Sequence, residues 1–405
     1  MNMLIFNNYI CFNYCLFFLG YVLLYLVKQT IPIALPILID FKYTNHLELS
    51  YFFAFFTFCY GIFKFINGII MDFKNCPLFL FGLGHIIVGL STISIPFVYN
   101  NLILLLFILM LLAWGQGTGW PAITKFMITN FDAYSIASLW GIMSVSYQLG
   151  SCLSLILLPS IINMYNIKSA FLCSGAFCLL FGIYIMLKVD YSRNKYNFSV
   201  DEIYKLLKFC VNIKISTSIL LLCYATFCIY IVRMGIFFWF PLILRDLLQI
   251  SLVKSSLITG IHDLSGIFGA LITGRLSDVY FYQNRNLLAS IYMLITAFIF
   301  IAMHFYLSPF FLYCSAALSG FLIFGVQVLT GVIATELAPK HNVCTIVSLT
   351  GLFGYISSSI FSCLVLGLIM KYFGNNFMFL FFFISSIIAS ICFGILLRKD
   401  RKQPS

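Results

Sequence analysis

The sequence predicts an all-α membrane protein of twelve transmembrane helices arranged as two six-helix halves, and three observations carry that prediction. The 405 residues are 62% apolar and only 9% charged, which leaves almost no water-facing surface for a chain of this length. Apolar runs of 18 residues or more recur from end to end, each long enough to cross the ~30 Å hydrocarbon core as a helix. One long polar connection near the middle divides these runs six and six.

In the first half, spans are expected at residues 10–39, 49–71, 77–99, 102–123, 136–162 and 170–187. No Lys or Arg precedes Tyr9 and no small-residue cleavage site follows the first run, so that run reads as a retained helix and not a secretory signal. In the second half, spans are expected at 219–244, 255–276, 287–307, 310–335, 345–370 and 377–397. The domains are then 1–187, a cytoplasmic linker 188–214, and 215–405 with a short basic tail. With both termini in the cytoplasm, about fifteen of the 23 Lys and Arg fall in cytoplasmic segments and about five fall outside, as the positive-inside rule requires. The remaining three, Lys28, Lys64 and Arg233, lie inside the membrane.

Several function classes lose support on composition. The fourteen cysteines are scattered through apolar spans without a Cys-x-x-Cys pair, so most read as small core residues. The five histidines are isolated, and no nucleophile triad, phosphate loop or metal-protease motif is present. An enzyme is not expected, nor is a cofactor or metal. The basic clusters flank membrane helices and belong to no recognition module, so no nucleic acid is expected as partner. The expected surroundings are a lipid bilayer.

Arg233 sits near the middle of the uncharged run 215–244. At about 1.5 Å of rise per residue it lies roughly 16 Å from the end of its helix, near the bilayer midplane. A charge at that depth faces a protein interior or an aqueous cavity and marks a substrate path. An offset of 206 residues carries Gly68-Ile69-Ile70-Met71-Asp72 onto Gly274-Arg275-Leu276-Ser277-Asp278, and nearly the same offset carries Lys28 onto Arg233. Each of the two cations also precedes the next charge, Asp40 or Arg245, by twelve residues. Halves related by such a repeat place a substrate site near the midplane at their interface, with one cation from each half.

Lys64, between Glu48 and Asp72, is a third buried cation, and Asp263 is the one buried acid. That imbalance implies a bound anion or lysines of lowered pKa. A phosphate monoester, near two negative charges at pH 7, would neutralise two cations and accept several charge-assisted hydrogen bonds. Tyrosines sit at helical spacing around the cations: Tyr21 and Tyr25 share a face with Lys28, Tyr60 lies one turn before Lys64, and Tyr230 one turn before Arg233. Their hydroxyls are candidate donors to phosphate or sugar oxygens. Glycine-dense stretches at 115–121 (GQGTGWP) and around Gly351 and Gly354 are expected to let helices approach closely.

These residues together resemble the major facilitator superfamily, and within it the organophosphate:phosphate antiporters. The resemblance covers nearly all twelve helices. It is carried by GQGTGWP at 115–121, by Arg233-Met234-Gly235 through Trp239 and Pro241, and by Lys254-Ser255-Ser256. It is carried also by the 274–278 loop, by GFLI at 320–323, by ELAPK at 336–340 and by TGLFGY, which ends at Tyr355. It implies that Arg233 binds phosphate from the C-terminal half, that Lys28 occupies the N-terminal counterpart, and that Lys64 matches a family lysine. The family's usual Arg-Lys pair reads Lys28-Gln29 here, Asp263 stands for a glutamate, Tyr147 for a histidine, and Phe238 for an acidic residue. Lys28, Arg233, Lys64, Tyr21, Tyr25, Tyr230, Tyr147, Tyr355 and Asp263 are therefore the expected substrate-binding residues.

The activity implied is exchange of an organic phosphate, such as glycerol-3-phosphate or a sugar phosphate, for inorganic phosphate by alternating access of a monomer. Two alternatives remain open: a cation-coupled organic-anion symporter using Asp263, and a sugar-phosphate receptor that transports nothing. A bacterial inner membrane is the first expected location, with an organelle membrane such as the endoplasmic reticulum second.

Overall fold

The structure is a computed structural model that describes residues 8–40, 46–189, 205, 206, 209, 213, 215–249, 252–306 and 308–400. Most of the linker 188–214 and the tail residues 401–405, including Arg401 and Lys402, lie outside the described residues. Each predicted span is occupied by helix, and no strand occurs among the described residues. In the first half the helices are α1 (Asn8–Asp40), α2 (His46–Lys74), α3 (Pro77–Val98), α4 (Leu102–Gly117), α5 (Gly119–Asn130), α6 (Ile136–Met164) and α7 (Ile167–Leu187). Next come α8 (Thr217–Leu248), α9 (Leu252–Tyr280), α10 (Arg285–Phe305), α11 (Pro309–Leu337) and α12 (Val343–Ser357). A π-helix (Ser358–Val365), α13 (Leu366–Phe373) and α14 (Phe377–Asp400) complete the chain.

Eleven helical spans among the described residues are long and apolar enough to cross a membrane. The twelfth predicted span is α9, a continuous 29-residue helix that carries His262, Asp263 and Arg275. Polar residues mark the ends: Asn101, Asn166, Ser216 and Ser308 each accept a hydrogen bond from a first-turn backbone N–H of the helix that follows. Asn75 and Gln249, both at φ of 52°, follow α2 and α8 in the left-handed conformation that stops a helix.

Two predicted spans are broken where one helix was expected. The span 102–123 turns at Thr118, whose hydroxyl donates to the Gly115 carbonyl over 2.8 Å, and continues as α5 to Asn130. Pro121 has no N–H to offer the carbonyl four residues back, so the helical ladder is interrupted there. The span 345–370 passes through the eight-residue π-helix. Serine hydroxyls compete for carbonyls of the turn that leads into it: Ser357 donates to Gly354 O over 2.7 Å and Ser359 to Ile356 O over 3.1 Å.

The chain forms two compact units, Met1–Phe131 with Ser146–Val211, and Asp132–Val145 with Asn212–Ser405. Helix α6 is thus shared, its first turns belonging to the second unit. Those turns are held by Asp278, whose carboxylate accepts from the Ser138 N–H at 2.7 Å, the Ser138 hydroxyl at 2.6 Å and the Ala137 N–H at 3.3 Å. A carboxylate at a helix N-terminus meets both free N–H groups and the positive end of the helix dipole. Arg285, almost fully buried, pairs with Asp278 at 3.2 Å and with Glu336 at 2.8 Å. Tyr282 stacks on Tyr134 with ring centroids 4.5 Å apart, and burial pushes its phenol above the ordinary range.

The cores are apolar, and their hydroxyls are mostly satisfied within their own helices, as when Thr92 donates to Val88 O and Thr296 to Tyr292 O. Of the twelve cysteines whose side chains are described six are buried, whereas Cys11, Cys15, Cys173 and Cys314 are exposed. The expectation that most cysteines sit in the core therefore holds for half of them. A thiol is apolar enough to face lipid as readily as a core.

Candidate functional site

In the first unit, α1 turns Tyr21, Tyr25 and Lys28 onto one face, and α2, α5 and α6 supply the rings that meet it. The Tyr21 ring lies 5.2 Å from Tyr25 and 5.3 Å from Trp120, and the Tyr25 ring lies 5.3 Å from Tyr147. The Lys28 Nζ sits 4.1 Å from the centroid of Tyr60 and 5.0 Å from that of Tyr25. Ring faces carry negative charge density, so two of them stabilise the ammonium between them. Lys64, one turn beyond Tyr60 on α2, is 6% exposed.

Hydrogen bonds between helices fix this arrangement. Gln116 Nε2 donates to Leu24 O over 2.8 Å, and Asn67 Nδ2 to Trp114 O over 3.1 Å. Gln29, next to Lys28, donates to the Ser151 hydroxyl over 3.1 Å and so joins α1 to α6. Gly117 lies flush on α2: a Cβ there would stand 2.8 Å from the backbone nitrogen of Lys64. The expected close approach in GQGTGWP is thus an approach to the backbone of a site lysine.

In the second unit, α8 carries Tyr230 and Arg233. The guanidinium carbon lies 4.8 Å from the Phe324 ring centroid on α11 and 5.7 Å from that of Tyr230. Asp263 on α9 is half-buried and close enough for Arg233 to attract its carboxylate. Tyr230 packs edge-on to Tyr355 at 5.4 Å, and its hydroxyl accepts from Gln327 Nε2 over 3.2 Å. Gly354 makes room for this ring, since a Cβ would fall 2.8 Å from Tyr230 Cδ2. The π-helix grips the same stretch of α8: Ser362 donates to Ile231 O over 3.2 Å, and Trp239 Nε1 to Ser362 O over 2.6 Å.

The expected residues therefore gather into two clusters, one per unit. Lys28, Tyr21, Tyr25 and Tyr147 meet through their rings, with Lys64 one turn from Tyr60. Arg233, Tyr230, Tyr355 and Asp263 meet around α8. Trp120, Phe324 and Gln327 belong to these clusters and were not among the expected residues. Gln327 did carry a signal, being the one amide side chain of its helix.

Residues 17–362 match the profile of the Major Facilitator Superfamily. The chain is 27% identical over 403 residues to the glycerol-3-phosphate transporter of Bacillus subtilis, covering 92% of this chain and 89% of that protein. It is 26% identical over 371 residues to a probable hexose phosphate transport protein of Chlamydia pneumoniae, covering 84% and 81%. A membrane sensor protein of Escherichia coli, UhpC, is 24% identical over 370 residues, covering 84% and 82%. Among solved structures, the proton:xylose symporter XylE aligns with a TM-score of 0.72 at 11% identity, covering 95% of both chains.

Proposed function

The chain belongs to the Major Facilitator Superfamily, and from that premise we propose that it exchanges an organic phosphate for inorganic phosphate across the membrane it spans many times. The observation that carries this reading is the matched pair of cations. Each unit holds a cation against aromatic rings, Lys28 in one and Arg233 in the other, at equivalent places of an internal repeat. The relatives named for glycerol-3-phosphate and hexose phosphate transport support the same substrate class.

Arg233 offers a planar fork in the second unit, and Lys28 and Lys64 offer point charges in the first, so each unit has its own means of engaging phosphate oxygens. Tyrosine hydroxyls of both clusters donate to remaining oxygens. Exchange requires the cation of each half, and reorientation is expected to be fast only with an anion bound. Such a carrier is an exchanger, and its direction follows the phosphate gradients. The halves are 1–187 and 215–405, the segment 188–214 is their cytoplasmic connection, and the membrane is a bacterial inner membrane. The protein acts as a monomer and catalyses no covalent step.

Proteoliposomes loaded with inorganic phosphate test this. Labelled glycerol-3-phosphate or glucose-6-phosphate is expected to enter only when phosphate is inside. Uptake driven by a proton or sodium gradient into phosphate-free vesicles would establish the symporter. Saturable binding without uptake would establish a receptor, the role that resemblance to a membrane sensor protein favours.

A further inference from the structure

The atom that the phosphate-binding account leaves unused is Oε1 of Gln327. This glutamine projects from α11 one turn beyond Phe324, the residue whose ring faces Arg233. Its two amide atoms have different situations. Nε2 donates to the Tyr230 hydroxyl over 3.2 Å, whereas Oε1 is buried with no hydrogen-bond donor among the described residues. A buried amide oxygen without a donor bears the full cost of its desolvation, and native structures keep such atoms where a ligand or water fills the vacancy. In a membrane helix that faces a protein interior, a polar side chain kept at this expense marks the substrate path.

We propose that Gln327 is a specificity-determining residue, with Oε1 accepting a hydrogen bond from a hydroxyl on the organic portion of the substrate. This rests on the phosphate-exchange reading and goes on to name which end of the substrate each group meets. Arg233 only donates, so it takes phosphate oxygens. Tyr230 accepts from the Gln327 amide and thereby keeps its own proton for an acceptor, which is again phosphate. Gln327 Oε1 only accepts, so phosphate and carboxylate oxygens are repelled from it and an O–H is drawn to it. Asp263 adds a second acceptor in the same unit. The cluster thus sorts donors toward phosphate and acceptors toward a hydroxylated carbon chain. Monophosphates of polyols and sugars satisfy it, while carboxylated monophosphates bring a third acceptor to a site already rich in them.

The test is direct binding of paired compounds to the purified full-length protein. Glycerol-3-phosphate is compared with propyl phosphate, and glucose-6-phosphate with hexyl phosphate. In the wild type the hydroxylated member of at least one pair is expected to bind about tenfold more tightly. In Gln327→Met, which keeps length and loses both hydrogen-bonding atoms, that gap is expected to shrink to about twofold. In Gln327→Glu, which keeps an acceptor, the gap is expected to persist while both members bind more weakly beside Arg233. Equal binding within both wild-type pairs, or an undiminished gap in Gln327→Met, overturns the proposal. Since binding is read without transport, a failure of phosphate exchange in proteoliposomes contradicts the exchange reading alone.

Discussion

The two clusters hold their cations in contrasting ways. In the first unit, a lysine ammonium is placed over Tyr60 and Tyr25, and further rings extend to Tyr147, Tyr21 and Trp120. In the second, an arginine fork lies against Phe324 and Tyr230 with a carboxylate and an amide near it. A point charge among rings presents donors without fixed direction and suits any phosphate. A planar fork bordered by acceptors fixes direction, so it distinguishes one substrate from another. The contrast teaches that a repeated position need not have a repeated role: on the proposed reading, affinity for phosphate is shared, and recognition of the organic portion falls to the second unit.

The largest expected effect is at the directional cation. Arg233→Lys keeps the charge and removes the fork, and exchange is expected to fall by about a hundredfold, the loss of a bidentate charge-assisted pair. The mirror substitution, Lys28→Arg, is expected to retain exchange within about threefold or to raise it, because a point-charge site loses nothing when given a fork. Equal sensitivity of the two sites in exchange assays would erase the contrast. Glycine substitutions offer a second comparison. Gly117→Ala drives a methyl against the backbone of α2 at Lys64 and is expected to cost about 1–3 kcal/mol of stability, read as a lowered melting temperature in detergent. Gly354→Ala meets a movable ring instead, and is expected to slow exchange with little change in melting. The smallest effect is expected for Tyr147→His, which puts an imidazole beside Tyr25 and should alter substrate affinity by less than about threefold.

The helices were legible because twenty apolar residues in a row have one stable arrangement in lipid, with every backbone group bonded inside its own helix. Lys28, Lys64 and Arg233 were legible because a charge in such a run is too costly to be incidental. The break at Thr118 and the π-helix at Ser358–Val365 were not, since both depend on which carbonyl a hydroxyl captures after packing. The hold of Asp278 on Ala137 and Ser138 was equally hidden, joining positions some 140 residues apart that no local pattern links. Phe324 and Gln327 escaped because an aromatic residue or an amide becomes part of a site only through the arginine that a different helix brings to it.

Phosphate exchange is expected to need one cation of each unit. Exchange of labelled inorganic phosphate for unlabelled inorganic phosphate, in proteoliposomes without any ion gradient, measures this most directly. The wild type is expected to exchange, and Arg233→Ala and Lys28→Ala each to fall to the background of empty vesicles; near-normal exchange by Arg233→Ala would contradict the account.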